Sequence, residues 1–166
     1  MNALSDKKSS AVILLVEDEP NIAKLFSFTI TRAGFSCEVA GNGIIGLDMA
    51  KKIKPDLIIS DIMMPEMDGF EFRKKLIQDP ELKAIPFVFL TAKGTEDDIL
   101  QGYDLEIEDY ITKTASPKIV IAKISAILKS LEKERVKVVD EVQKAADSMG
   151  AKVVPDEFPE FEGFRI

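Results

Sequence analysis

Four groups of polar residues each follow an apolar run in this chain, and together they are suited to handling phosphate. In chain order, these groups are Glu17-Asp18-Glu19, Asp61, Thr91-Ala92 and Lys113. Carboxylates brought close together repel one another, so such a cluster is either partly protonated or neutralised by a cation. The chain has no histidine and only one cysteine, so its oxygen ligands favour Mg2+ over zinc. Mg2+ also binds phosphate oxygens readily.

Within this set, the residue types suggest separate roles in phosphoryl chemistry. Asp61 is the candidate nucleophile, because a carboxylate can form an acyl phosphate. Lys113 supplies a positive charge for a phosphoryl oxygen, and the Thr91 hydroxyl can donate a hydrogen bond to the phosphoryl group. Ala92 is small and leaves the access path open.

Each of these residues also has a simpler explanation when it is taken alone. Asp18 or Glu19 would complement the dipole of a following helix, and Thr91 would cap one. An isolated Asp61 would be a loop residue, and an isolated Lys113 a solvated charge. The order of all four groups and their shared position after apolar runs favour one site.

The elements that must position these groups alternate between strands and helices. Apolar runs predict strands at 11–16, 35–40, 56–60, 85–90 and 109–112. Helical spacing predicts helices from Pro20 to Gly34, at 43–53, 70–78 and 95–103, and from Pro117 onward. Parallel strands need crossover connections, so this alternation predicts an α/β, doubly wound parallel sheet covered on both faces. Its site is expected at the carboxyl ends of the strands.

Composition limits the classes of partner. The net charge of -7 argues against a DNA-binding output and favours a protein, cation or small-molecule partner. No secretion signal is evident, and no apolar stretch is long enough to span a bilayer, so we expect no membrane partner. The single cysteine, Cys37, suits a reducing, cytoplasmic location and is expected to be a small core residue of a strand.

Once these residues are assembled, the chain resembles the receiver domains of two-component response regulators over about residues 11–130. The matching segments are 13–20, 55–65, 67–70, 90–92 and 109–113, which read ILLVEDEP, PDLIISDIMMP, MDGF, LTA and DYITK. The resemblance implies a flavodoxin-like (βα)5 sandwich with strand order 2-1-3-4-5. It implies that Asp61 is phosphorylated and that Glu17, Asp18, Asp61 and the Met63 carbonyl hold Mg2+. Thr91 and Lys113 would then contact the phosphoryl group.

The same resemblance implies a conformational switch and also exposes departures from the family pattern. Thr91 would move toward the phosphoryl group while Tyr110 turns inward; the alternative is a tyrosine that half covers the rim of the last strand. The residue after Lys113 is Thr114 where many relatives have a proline after a cis bond. A cis bond to a non-proline residue costs ~2.5–4 kcal/mol, so this loop either carries strain or takes another path. Glu66 stands where glycine is common.

The last predicted helix continues well past the expected end of the domain. We divide the chain into a flexible leader (1–10), a receiver domain (11–130), a helical extension (131–150) and an acidic aromatic tail (151–166). A heptad seam runs from Ile121 to Met149 and is interrupted only by Arg135. The extension is expected either to self-associate or bind another protein, or to fold back on its own domain. The tail is either a docking peptide or disordered.

These features favour a signalling switch rather than a metabolic enzyme. The chain would accept a phosphoryl group on Asp61 from a histidine kinase or phosphotransfer protein and signal through protein contact, catalysing only its own phosphorylation and dephosphorylation. One alternative is a Mg2+-dependent aspartyl-phosphate phosphatase, but Ile62-Met63 lacks the acid-base carboxylate that this chemistry needs. Another is a receiver-like adaptor or dimerisation module that works without phosphorylation.

Overall fold

A computed structural model describes residues 10–92 and 95–150 of the chain. Its strands are β1 (Val12–Val16), β2 (Ser36–Ala40), β3 (Leu57–Asp61), β4 (Phe87–Thr91) and β5 (Asp109–Thr112). Its helices are α1 (Pro20–Arg32), α2 (Gly43–Ile53), α3 (Gly69–Gln78), α4 (Glu96–Tyr103) and α5 (Pro117–Ser148).

The five strands form one parallel sheet in the order β2-β1-β3-β4-β5. This confirms the doubly wound sheet and the strand order that the family resemblance implied. The order reverses direction after β1, so the carboxyl ends of β1 and β3 lie side by side at the topological switch point. The sequence groups after these strands are therefore brought to the same edge.

Strand ends differ from the sequence prediction at two chemically important positions. Asp61 and Thr91 are the last residues of their strands rather than the first residues after them. The reason is continued ladder pairing, with Asp61 opposite Leu90 and Thr91 opposite Thr112. Both side chains are consequently held by sheet backbone instead of by a loop.

Two apolar layers fill the space between the sheet and its helices. One contains Leu14, Ile58 and Phe89 on one face of the sheet, and the other contains Ile13, Ile59 and Ile124 on the opposite face. This alternation follows from the period of two along a strand, which sends successive side chains to opposite faces. Cys37, expected in the core of a strand, lies in β2 and is half buried against the second layer.

Three described non-glycine residues have φ in the left-handed region, Lys54, Glu66 and Glu106, and of these Glu66 lies in the loop after β3, next to the site. Glu66 has φ 69° and Glu106, before β5, has φ 49°, a backbone region that glycine adopts more readily than other residues. Among the described residues no peptide bond is cis. The Lys113–Thr114 bond is therefore trans, so this loop does not carry the strain of a cis bond to a non-proline residue.

Helix α5 is continuous from Pro117 to Ser148. Its first half packs against the sheet through Val120 and Ile124, whereas residues 136–145 and 147–150 are exposed. Gly150, with φ 69°, follows the helix end. Within the described part of the chain, none of the helices has both the length and the apolar composition needed to cross a bilayer. The predicted tail at 151–166 and most of the predicted leader lie outside the described residues.

Candidate functional site

Three carboxylates meet at the carboxyl edge of the sheet. Glu17 and Asp18 directly follow β1, and Asp61 ends β3. One oxygen from each of the three lies within 4.8 Å of the others. Glu17 and Asp61 are buried, at 2% and 3% exposure, whereas Asp18 is exposed. The sequence prediction that these residues come together is therefore met by the geometry.

Lys113 lies across the site from the carboxylates and contacts two of them. Its Nζ donates to Asp61 Oδ2 at 2.9 Å and to Glu17 Oε1 at 3.3 Å. Burial opposes the charge of the ammonium, but the hydrogen bonds to Asp61 and Glu17 raise the pKa of Lys113 above its ordinary value. A positively charged lysine is thus fixed beside the candidate nucleophile even though the following peptide bond is trans.

One lysine does not neutralise this cluster. Burial, followed by the neighbouring charge of Asp61, raises the pKa of Glu17 to about 7. Glu17 Oε2 lies 3.1 Å from Lys113 Nζ, yet within the described part of the chain it is a buried oxygen that receives no hydrogen bond. A buried carboxylate oxygen left in this state is costly. An additional cation bound beside Asp18 and Asp61 would relieve that cost, so the residues present fit a hard divalent metal ion.

Thr91 and Ala92 occupy the end of the neighbouring strand. Thr91 is buried at 3% exposure, and its carbonyl accepts a hydrogen bond of 2.8 Å from the Lys113 backbone. This bond ties the end of β4 to the residue that contacts Asp61. Ala92 is exposed and leaves the approach to the site free of a bulky side chain.

The loop after β3 closes tightly over Asp61. The Met63 N–H donates to Asp61 Oδ1 at 3.4 Å, while the Met63 side chain is 79% exposed. The Gly69 N–H donates to the Ile62 carbonyl at 2.8 Å, and a Cβ on Gly69 would overlap the Asp61 carbonyl oxygen. Glycine is therefore required where α3 starts, because the helix approaches the backbone of the candidate nucleophile.

Tyr110 in β5 packs between the sheet and α4. Its ring lies 5.8 Å from that of Phe89, and its hydroxyl donates to the carbonyls of Asp98 at 3.2 Å and Ile99 at 3.4 Å. The surface of Gly102 lies directly beneath that hydroxyl, since a Cβ there would overlap it. Burial, with a smaller effect of Asp98, raises the pKa of Tyr110. Tyr110 therefore links the last strand to α4.

The sequence analysis did not identify Arg73, a buried cation of α3. Its guanidinium donates to three backbone carbonyls, those of Leu105 at 2.9 Å, Ile85 at 3.3 Å and Glu106 at 2.9 Å. It also lies 5.2 Å from the centre of the Phe87 ring. Arg73 thereby holds the segment between α4 and β5 in place. The sequence did contain a signal of this burial, because the helical spacing places Arg73 on the apolar face of α3.

Fold and site together define a class: a doubly wound α/β domain with an acidic site, neutralised in part by one lysine, at the switch point of its sheet. Comparison with known proteins assigns the family. The chain belongs to the response regulator receiver domain family, whose profile matches residues 13–125. Phosphorylation on aspartate and Mg2+ binding at an acidic pocket are typical of this family.

Individual relatives agree with this assignment. The chain is 36% identical over 121 residues to the DNA-binding dual master transcriptional regulator RpaA of Synechocystis sp., which covers 73% of this chain and 50% of the relative. It is 40% identical over 120 residues to the alkaline phosphatase synthesis transcriptional regulatory protein PhoP of Bacillus subtilis, covering 72% and 49%. The chain thus spans about half the length of these curated relatives.

Solved structures give the same fold. The chemotaxis protein CheY4 of Vibrio cholerae superposes with a TM-score of 0.68 at 30% identity, covering 71% of this chain and 98% of that protein. The N-terminal domain of a response regulator receiver protein from Methanoculleus marisnigri has a TM-score of 0.60 at 34% identity, covering 71% and 96%.

These relatives remove the support for one expectation. The acidic net charge was taken to exclude a nucleic-acid partner, yet relatives of the matched segment are named as DNA-binding or transcriptional regulators. Because the match covers only about half of each, the charge of the matched segment does not report on the output of a whole protein. The expectation of no nucleic-acid partner is therefore unsupported.

Proposed function

We propose that this chain is a cytoplasmic signalling switch that accepts a phosphoryl group on Asp61 from a histidine kinase or a phosphotransfer protein. The observation that supports this most strongly is the position of Lys113 Nζ, 2.9 Å from Asp61 Oδ2, within a group of three carboxylates. A buried aspartate with a fixed cation and two further acids is suited to phosphoryl transfer. A purely structural ion pair would not need the additional carboxylates.

In this proposal, Asp61 is the nucleophile. One Asp61 carboxylate oxygen forms a bond to phosphorus as the bond between phosphorus and the imidazole nitrogen of the donor breaks. The electron pair of the broken bond remains on that nitrogen. Lys113, already within hydrogen-bond distance of Asp61, neutralises charge on the phosphoryl oxygens as the group transfers.

The same residues would hold a Mg2+ ion. Its ligands would be the carboxylates of Glu17, Asp18 and Asp61 together with the Met63 carbonyl. A bound Mg2+ would neutralise charge on the phosphoryl oxygens and orient them for in-line transfer. Glu17 Oε2, which lies 3.1 Å from Lys113 Nζ but receives no hydrogen bond from the described residues, would then gain a second cation. Asp18, being exposed, leaves that side open to the donor.

The readout would start at Thr91 and end on the surface formed by α4, β5 and α5. Thr91 moves toward the phosphoryl group, and Tyr110 follows because its ring packs beside β4 against Phe89. The hydroxyl contacts of Tyr110 with α4 make that helix the first element to respond. Output through this surface is a protein contact.

Intact-mass measurement after incubation with acetyl phosphate and Mg2+ tests the proposal. Wild type is expected to gain the mass of one phosphoryl group, and Asp61→Asn is expected to gain none. Asp104→Asn, which removes an exposed aspartate at the end of α4, is the matched control and should be phosphorylated like wild type. Absence of the mass gain in wild type, with both acetyl phosphate and a phosphorylated histidine kinase as donor, would leave the phosphorylation-independent adaptor as the function.

A further inference from the structure

An apolar stripe remains uncovered on α5 beyond the domain. We call it the distal stripe; its residues are Val138, Val139, Val142, Ala145, Ala146 and Met149. Val138, Val142 and Met149 are 57%, 42% and 83% exposed. An isolated helix rich in β-branched residues is weakly stable in water. An apolar partner that covered the distal stripe would therefore stabilise this part of α5.

The direction of the distal stripe restricts where this partner lies. At about 100° per residue, Ile124, Leu131, Val138 and Val142 all fall on one side of the helix. Ile124 is fully buried on the sheet and Leu131 is half buried, so the distal stripe continues the face with which α5 covers its own domain. A partner must consequently lie directly below the domain and alongside the helix.

This placement excludes a parallel pair of identical helices. In a parallel pair, the first half of the second α5 would extend upward along the same face. That space is already filled by the sheet, against which Val120 and Ile124 pack. In an antiparallel pair, the second helix instead runs downward and carries its own domain to the far end.

We propose that two copies of this chain pair through their distal stripes as an antiparallel two-stranded coiled coil. In an antiparallel coiled coil, residues at heptad position a of one helix pack against residues at heptad position d of the other. One register places Val142 of one copy against Ala145 of the other, and Val138 against Met149. The same register places Val139 against Ala146, so all six stripe residues become covered.

Charge selects this register over its neighbour. Glu141 flanks the distal stripe, and in the proposed register it faces Ser148 of the other copy. A shift by one heptad places Glu141 against Glu141, which is repulsive.

The length of the extension matches the space available. Arg135 is half buried and acts electrostatically on Asp56 at the base of the domain, so it marks the point where α5 leaves the domain. In the proposed register, Met149 of the second copy lies level with Val138, about one turn below Arg135. Gly150, with φ 69°, then ends the helix before it would reach the first domain.

Sedimentation of the full chain from about 10 µM to 1 mM tests the pairing. About two heptads per helix is short for a coiled coil, so we expect a dimer with a dissociation constant on the order of 100 µM. Val138→Glu is expected to raise that constant at least about thirtyfold, because it places a charge in the apolar seam. Val136→Glu is the matched control: Val136 is also 57% exposed but lies on the opposite side of the helix, and its dimer should be unchanged.

Spin-label distances test the orientation in a Cys37→Ser background. A label introduced by Lys144→Cys lies near the centre of the antiparallel pair, whereas one introduced by Lys133→Cys is offset from its counterpart by about 30 Å along the axis. A short distance at 144 with a long distance at 133 supports the proposal, and similar distances at both refute it. A wild type that stays monomeric, or a dimer insensitive to Val138→Glu, also overturns it and assigns the distal stripe to residues 151–166, to another protein, or to no partner. Phosphorylation of Asp61 is expected in every variant, so failure of the pairing is separable from failure of the proposed function.

Discussion

Arg73→Met should destabilise the domain more than any surface substitution in α3. The change removes three hydrogen bonds, of 2.9, 3.3 and 2.9 Å, from a side chain that is 2% exposed. Hydrogen bonds from a charged donor contribute about 1.5–3 kcal/mol each, and removing a buried charge returns part of that sum. We therefore expect a loss of about 3 kcal/mol in the free energy of unfolding.

Urea denaturation followed by far-ultraviolet circular dichroism measures this loss. Lys74→Met removes a positive charge from the next, exposed position and should change stability by less than about 0.5 kcal/mol. Arg73→Lys should fall between the two, because a single ammonium does not reach all three carbonyls. Hydrogen exchange of the amides at 106–108 should accelerate in Arg73→Met. A loss below about 1 kcal/mol, or one equal to that of Lys74→Met, would refute the structural role assigned to Arg73.

Four further predictions concern the site and the proposed switch. Gly69→Ala should slow phosphorylation and lower stability by at least about 2 kcal/mol, whereas Gly41→Ala, with open space around it, should do neither. Gly102→Ala should displace the Tyr110 ring and bring the pKa of Tyr110, which burial raises, back toward about 10. An ultraviolet pH titration measures this change. A pKa that does not fall contradicts the close packing of Tyr110 against Gly102. Because that pKa is raised in the folded state, wild-type stability is expected to decline as the pH rises above about 10. Mg2+ at ten times its dissociation constant should stabilise wild type by about 1.4 kcal/mol and should not stabilise Asp18→Asn. Thermal unfolding with and without Mg2+ measures both effects. Equal stabilisation of the two proteins would exclude Asp18 as a ligand.

Much of the fold was predictable because apolar periodicity and helix-capping residues act locally. Helix α2 begins and ends where the sequence pattern placed it, with Asn42 accepting a hydrogen bond from Ile45 at its start. Strand ends were less predictable, since Asp61 stays in β3 through pairing with β4, and that pairing connects residues distant in sequence. Local propensity carries no information about such contacts.

The candidate site was predictable in composition but not in its connections. The convergence of Glu17, Asp18 and Asp61 follows from strand order alone, since the carboxyl ends of parallel strands share an edge. The contact of Lys113 with Asp61 across a trans Lys113–Thr114 bond depends on the path of a loop. The burial of Arg73 depends on the carbonyls of a segment more than thirty residues away.

In the proposed switch, helix α5 would also act mechanically, as a lever attached to β5. Lys123 Nζ donates to the Tyr110 carbonyl at 2.8 Å and to Asp109 Oδ1 at 3.0 Å, so the helix is coupled to the strand that carries Tyr110. From Lys123 to Ser148 the helix spans about 38 Å at about 1.5 Å per residue. A tilt of about 5° at the coupling point would move the far end by about 3 Å, comparable to the ~5 Å between neighbouring turns. A rearrangement too small to repack the core would therefore be amplified at the end of α5.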